Sequence, residues 1–436
     1  MRAKWLGAAA AALFAAAPAS AQTEIQFWHA MGGQLGEAVS KLVEGFNTRQ
    51  KDYVVKPVYK GTYAETMTGA IAAFRARQQP HLVQVFEVGT ATMMAAKGAI
   101  KPVHEVMAEA KEPFDPKAFI GPVYGYYSTT DGKLLSMPFN SSTSVFYWNK
   151  DAFKKAGLDP EKPPKTWPEV GEYGKKLLAA GYKCGFSTQW QTWIQIENFG
   201  AWHNLPFASQ GNGFGGTDIQ LQINDPVRVK HIQQLSDWHN EKIFVYGGRE
   251  NRPNPKFTTA ECPMLMASAG LAGGFSQNIK DFKWGVTMLP YRTDVTGAPQ
   301  NSIIGGATLW VMAGKAKEEY KGVAKFLTYL SKADVQAKWH QETGYVPITT
   351  AAYELTKSQG FYDKNPGRDI AFLQLNNKPP TANSRGLRIG SFVQLRDVID
   401  EELESVWAGK KTAKQALDDA NARGNKLVAD FHAANK

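Results

Sequence analysis

A proline set inside a long apolar run constrains this chain more than any other feature. Leu134-Leu135-Ser136-Met137 reads as a strand and Pro138 follows. Phe139-Asn140 then leads through four hydroxyl residues, Ser141-Ser142-Thr143-Ser144, into a second apolar strand, Val145-Phe146-Tyr147-Trp148. Proline has no amide hydrogen to donate, so it interrupts the ladder of a central strand. On this reading the chain leaves one sheet at Pro138 and enters another, and the hydroxyls lie in a cleft between two domains, where ligand sites are common. The plainer reading, that Ser and Thr satisfy turn backbone groups, stays open at this point.

Length supports two domains, because 436 residues exceed what one core organises, about 250–300. Residues 1–21 have the plan of a secretory signal: basic Arg2 and Lys4, an apolar stretch from Leu6 to Ala17, and Ala19-Ser20-Ala21 as the cleavage site before Gln22. The apolar stretch is too short for a bilayer span, which takes about 20 residues. An exported protein is expected. The formal charge of +10 falls to +8 once Arg2 and Lys4 leave with the signal. The remaining charges interleave with acids, as in Lys317 to Lys321, which argues for a solvated surface and against a nucleic-acid groove. A mildly positive field favours an anionic small molecule. Two cysteines, Cys184 and Cys262, are candidates for one disulfide in an oxidising compartment, with two buried free thiols as the alternative. No metal-ligand spacing accompanies them, and no cofactor or metal is expected.

From Ile25 the chain alternates strand and helix. Ile25 to His29, Tyr53 to Tyr59 and Leu82 to Phe86 read as strands; Leu35 to Phe46, Tyr63 to Arg77 and Thr90 to Lys97 read as helices. Alternation of this kind predicts an α/β fold with mainly parallel sheets flanked by helices, and ligands beyond the carboxyl ends of the strands. Those ends carry His29, Gly61-Thr62-Tyr63 and Glu87. Capping boxes open helices at Thr166-Trp167-Pro168-Glu169 and at Thr412 with Gln415. An aromatic run, Phe186 to Phe207, reads mainly as core, but polar neighbours at Gln189-Trp190-Gln191-Thr192-Trp193 set one indole beside a wet cavity. Further strands are expected at Pro263 to Ala267, Trp284 to Leu289 and Thr308 to Met312. Gly/Pro-rich stretches from Pro290 to Gly306 and near Gly344 allow the chain to cross between domains twice more, which makes a multi-strand hinge.

Several absences exclude function classes. The chain has no G-x-S-x-G, H-E-x-x-H or P-loop motif, and its Glu401-Glu402-Glu404 cluster reads as the solvated face of a helix. A hydrolase is disfavoured accordingly. What remains are groups suited to gripping: Tyr63, Glu87, Ser142, Trp190, Ser268, Gly305-Gly306, Tyr345, and either Arg388 or Arg396. A carboxylate accepts from ligand hydroxyls, and an arginine fork with Ser hydroxyls and glycine amides matches a phosphate. A carbohydrate site, with Trp190 and Trp193 stacked on sugar rings and Arg396 in a structural ion pair, is the alternative.

Tyr147-Trp148-Asn149-Lys150-Asp151-Ala152-Phe153-Lys154-Lys155-Ala156-Gly157-Leu158, followed by Pro164-Lys165-Thr166-Trp167, resembles a signature of the extracellular solute-binding proteins of bacterial ABC importers. Tyr59-Lys60-Gly61-Thr62-Tyr63, Glu87-Val88-Gly89-Thr90, Pro138-Phe139-Asn140-Ser141-Ser142, Ile303-Ile304-Gly305-Gly306-Ala307 and Gly386-Leu387-Arg388 are similar to the branch of that family that binds sn-glycerol 3-phosphate. The resemblance implies a two-lobed periplasmic binding protein fold, monomeric, with no catalysis, that delivers glycerol 3-phosphate or a glycerophosphodiester to an inner-membrane permease and its ATPase. It implies lobes of 22–137 with about 300–342, and 138–299 with about 343–436. It also implies that Tyr63 is a ligand contact, and that Glu87 and Trp190 hold the glycerol part while Ser142, Ser268, the Gly306 amide, Tyr345 and Arg396 surround the phosphate. Ala269-Gly270-Leu271 departs from the family's further serines, and Trp190 favours the smaller ligand over glycerophosphocholine.

Overall fold

The computed structural model describes residues 22–96 and 98–435, so the signal-peptide reading of residues 1–21 lies outside the described residues. Two sheets form. The first holds β1 (Thr23–His29), β2 (Tyr53–Tyr59), β3 (Leu82–Phe86), β4 (Met137–Ser142) and β9 (Gly305–Val311) in the order β2-β1-β3-β9-β4. The second holds β5 (Ser144–Asn149), β6 (Phe186–Thr188), β7 (Met264–Ser268) and β8 (Trp284–Thr287) in the order β6-β7-β5-β8.

The sheets are mixed, where the sequence predicts mainly parallel ones. β1 pairs in parallel with β2 and β3, and β6 with β7, but β9 runs antiparallel to β3 and β4, and β5 antiparallel to β7 and β8. The reason is the direction of entry. β3, β4 and β7 finish at the boundary between lobes, at Phe86, Ser142 and Ser268, whereas β5 and β9 begin there, opposite those same ends. A strand that enters a lobe from the boundary must run against those that finish at it.

The change of sheet falls at Thr143 and not at Pro138. Pro138 lies on β4, which is an edge strand, and the ladder shifts register between Pro138 and Asn140. A missing amide hydrogen is tolerated at such an edge. Gly305-Gly306, expected in the crossing before a strand at Thr308, belongs to β9 itself and pairs with Ser142 and Ser141. The apolar cores follow sheet faces. Phe146, Trp148, Met264 and Met266 share one core with Val83 and Val85, while Val145, Tyr147, Leu265 and Ala267 share the other with Leu82, Leu309 and Val311. Both faces of each sheet are therefore covered, which is why the strands read as unbroken apolar runs. Full burial of each such large side chain contributes roughly 1.5–3 kcal/mol.

Local signals set the helices. Thr62 caps the helix Tyr63–Arg75 in a reciprocal capping box with Glu65, and Thr166 with Glu169 and Thr412 with Gln415 open two others. Cys184 and Cys262 form a disulfide, with Cα atoms 4.9 Å apart. Among the described residues no helix is long and apolar enough to cross a membrane.

Candidate functional site

Where the strand ends of the two sheets meet, a cleft of about 340 Å³ opens. Small-molecule sites span about 300–1,000 Å³, so this one suits a compact ligand. Seven of the eight residues singled out in the sequence line it: Tyr63, Glu87, Trp190, Ser268, Gly306, Tyr345 and Arg396. Ser142 lies behind this lining, and its hydroxyl shares a hydrogen bond of 2.7 Å with that of Ser268.

Tyr63 is the first residue of its helix, and the cap at Thr62 fixes it there. Before it, Gly61 has φ +88, and a Cβ at that position would meet the Glu65 carboxylate at 2.2 Å. The Tyr63 ring stacks on Phe86 with centroids 5.2 Å apart, and its hydroxyl accepts from Asn140 Nδ2 at 2.8 Å. Asn140 Oδ1 in turn accepts from Gln84 Nε2 at 2.7 Å, and Gln84 Oε1 accepts the Ala30 amide at 2.7 Å. Gln84 and Asn140 are fully buried, so this relay locks the tyrosine from behind. Loss of hydration raises the pKa of both Tyr63 and Tyr345, which leaves two neutral phenols in the cleft.

Trp190 has φ +40, a strained value for a large side chain, and its indole Nε1 donates to Asn251 Oδ1 at 3.1 Å. Gln189 joins this loop to the second sheet by accepting the Ser268 amide at 2.8 Å. Gly306 has φ +84, and a Cβ there would lie 2.0 Å from the Asn140 carbonyl oxygen, so only glycine fits this wall of the cleft. Gly305 packs instead against the Trp193 indole. Tyr345 stacks on Trp339 and covers Gly270.

The two arginines part here. Arg388 lies away from the cleft, where its Nη2 donates to the carbonyls of Tyr126 at 3.0 Å and Ser128 at 2.8 Å and its guanidinium sits over Phe214. Arg396, on the helix Phe392–Trp407, reaches the cleft and is held by two carboxylates. Glu197 takes it bidentately, with Nε to Oε1 at 2.7 Å and Nη2 to Oε2 at 2.8 Å, and Nη2 also donates to Glu87 Oε1 at 2.6 Å. All three side chains are buried. Burial works against the charge on Arg396, but Glu197 and Glu87 outweigh it and hold the guanidinium above its ordinary range. For Glu87, burial dominates and pushes the carboxyl up, with Arg396 opposing and Glu197 assisting.

Glu197, Gln84, Asn140, Gln189 and Asn251 were not among the residues the sequence nominated. The available signal was polarity out of place. Gln84 interrupts Leu82-Val83-Gln84-Val85-Phe86, and Glu197 follows Trp193-Ile194-Gln195-Ile196; a polar or acidic group inside such a run is buried and needs a partner.

A family model described as bacterial extracellular solute-binding protein matches residues 41–369. The chain belongs to that family. It is 56% identical over 419 residues to the sn-glycerol-3-phosphate-binding periplasmic protein UgpB of Salmonella typhimurium, covering 96% of this chain and 95% of that one. It is 55% identical over 432 residues to the protein of the same name from Pectobacterium atrosepticum, covering 98% and 97%. Among solved structures, UgpB from Mycobacterium tuberculosis in complex with glycerophosphocholine matches with TM-score 0.79 at 21% identity, over 94% of this chain and 100% of that one. The cyclic alpha-maltosyl-1,6-maltose binding protein from Arthrobacter globiformis matches with TM-score 0.74 at 20% identity, over 94% and 100%. These two structures establish the two-lobed fold of this solute-binding protein.

Proposed function

We propose that this protein captures sn-glycerol 3-phosphate in the periplasm, between lobes of 22–142 with about 300–342 and 144–299 with about 343–436, and hands it unaltered to an inner-membrane permease with its ATPase. It acts as a monomer and carries out no chemical step. The observation that carries the reading is that Glu87 and Arg396 share one compact cleft with Tyr63, Trp190, Ser268, Gly306 and Tyr345. A carboxylate and the Trp190 indole suit the glycerol hydroxyls and carbons. A guanidinium, two phenol hydroxyls, the Ser268 hydroxyl and the glycine backbone suit a phosphate. Ser142 acts through its hydrogen bond to Ser268. Relatives at 55–56% identity that are named for this ligand support the assignment. Glycerophosphodiesters such as glycerophosphocholine are the neighbouring ligand class.

The carbohydrate reading keeps one supporting observation, the pairing of Arg396 with Glu197 and Glu87, which a structural arginine would also show. Calorimetric titration with glycerol 3-phosphate, glycerophosphocholine and maltose separates the two. Saturable binding of a phosphate ester with none of maltose is expected; the reverse result would transfer the site to neutral sugars.

A further inference from the structure

Glu197 sits at the centre of the charge in the cleft although it does not line it. It is 2% exposed and projects from a π-helical turn, Thr192–Asn198, toward Arg396. A guanidinium has five N–H donors: one on Nε and two on each terminal nitrogen. Glu197 takes the Nε donor and one on Nη2, and Glu87 takes the other on Nη2. Among the described residues Nη1 donates to no protein acceptor, so its edge is the one left to an anion entering the cleft.

The count of charges is uneven. Among the described residues that line the cleft Arg396 is the only cation, and it faces Glu87 and Glu197; Glu250, in the cleft wall, has Arg252 and Arg249 near it. The groups packed around this cluster from other elements do not restore the balance. Tyr63, Tyr126 and Tyr127 are neutral phenols held so by burial. Arg388 donates to the Tyr126 and Ser128 carbonyls and pairs with no carboxylate among the described residues. One turn beyond Arg396, Asp400 accepts from Thr192 and is pushed up to about 6 by burial, with Arg249 opposing. An anion that enters such a cluster meets a surplus negative charge in a poorly hydrated site, where that repulsion is strong.

We propose that Glu197 is the positioning residue of this cleft: by clamping one edge of Arg396 it presents the other edge to the anionic group of the ligand, and its carboxylate beside Glu87 makes anion capture take up a proton. The proposal rests on the reading of the cleft as a phosphate-ester site. The proton comes from solvent and goes to Glu87, whose burial already favours its neutral form. A protonated Glu87 then donates its O–H to one ligand oxygen while its carbonyl oxygen still accepts from a glycerol hydroxyl, and Arg396 is left paired with Glu197 alone.

The test is isothermal titration of the mature protein with glycerophosphocholine, whose diester does not titrate near neutrality, in buffers of different ionisation enthalpy between pH 6 and 8. Glycerol 3-phosphate, whose own second pKa is about 6, is run in parallel. For the wild type, binding heat that depends on the buffer is expected, with diester affinity tightening up to about tenfold per unit fall in pH. Glu197→Gln is expected to abolish the buffer dependence and flatten the pH profile to less than about twofold, whereas Asp400→Asn keeps both. Buffer-independent wild-type heats overturn the proposal even if the variant fails to fold. So does a Glu197→Gln protein that binds more weakly with an unchanged pH slope, or loss of the slope in Asp400→Asn. Absence of binding by both esters at every pH removes the ligand reading along with it, a result distinct from binding without proton uptake.

Discussion

Arg388, in the loop before the helix Phe392–Trp407, and Arg396, on that helix, lie eight residues apart in sequence, both largely withdrawn from water, and their partners are of opposite kinds. Arg388 donates through Nη2 to neutral carbonyls at the end of the helix Gly121–Tyr126 and stacks on Phe214, which Arg385 covers as well. With no carboxylate against it, burial draws its pKa down to about 10. Arg396 has two carboxylates and is driven the other way. A cation among carbonyls is a strut: it ties neutral dipoles together, and its removal leaves no charge behind. Inside a cage of acids, a cation has ionic partners, and on the phosphate-ester reading proposed for this cleft an incoming anion displaces one of them only as that partner takes up a proton. What drives the two guanidinia in opposite directions is thus the charge of the partner, not the degree of burial.

The largest effect that would break this comparison is at Arg396. Arg396→Ala strands Glu197 and Glu87 as buried acids, and removal of one partner from a buried pair costs about 3–5 kcal/mol. Phosphate-ester affinity is expected to fall beyond about a hundredfold, and urea unfolding at pH 8 to shift by that free energy. Because the stranded carboxyls take protons more readily when folded than when unfolded, the stability deficit should shrink as pH falls toward 5. A variant that binds normally would return Arg396 to the framework class.

Buried histidines extend the comparison to groups that, like Arg388, lack a counter-charge. His340 bonds to the Tyr345 carbonyl and the Tyr362 hydroxyl, and His203 to the Phe199 carbonyl and the Arg292 amide. Burial lowers each to about 4, from an ordinary 6.5. The unfolded chain therefore gains protons between pH 6.5 and 4 that the folded one refuses. The stability each contributes is whole above 6.5 and falls away through that window by up to about 3 kcal/mol. Chemical denaturation across that range should show the loss, and His203→Gln should remove its share without altering ligand affinity.

How much of this was legible varies with the range of the force involved. The caps at Thr166 and Thr412 were readable because each lies three residues from its partner; the box of Thr62 with Glu65 has the same spacing but reads as part of a turn. Gly306 was nominated for its backbone amide, but neither its position inside β9 nor the exclusion of a side chain there was readable, since Ser141 and Asn140 lie far away in sequence. Pro138 was misplaced because the rule that bars proline from a ladder holds for central strands, and nothing local shows that β4 lies at an edge. The mixed sheets follow from the direction in which strands leave the cleft, a property of the assembled lobes. Both arginines were visible as candidates. The resemblance favoured Arg396; what local sequence did not show was its partner Glu197, which is hidden in an aromatic run and projects from a π-helical turn.

Arg388→Ala then sharpens the comparison from the framework side. Loss of its donors leaves the Tyr126 and Ser128 carbonyls under-satisfied, at about 1–3 kcal/mol, while phosphate-ester affinity stays within about threefold of wild type. A hundredfold loss would show that the strut sets the cleft as well. Thr62→Ala puts the smallest and finest question, because the cap belongs to the framework while the next residue, Tyr63, belongs to the cleft. Removal of the cap hydroxyl costs about 1 kcal/mol of stability. The Asn140 amide and the Phe86 ring still grip the tyrosine from two sides. Affinity should therefore fall only about twofold to fivefold, and a double variant with Asn140→Ala should lose more than the two single changes combined, because each support holds the same phenol. Additive losses in that cycle would mean that cap and relay act on separate parts of the site.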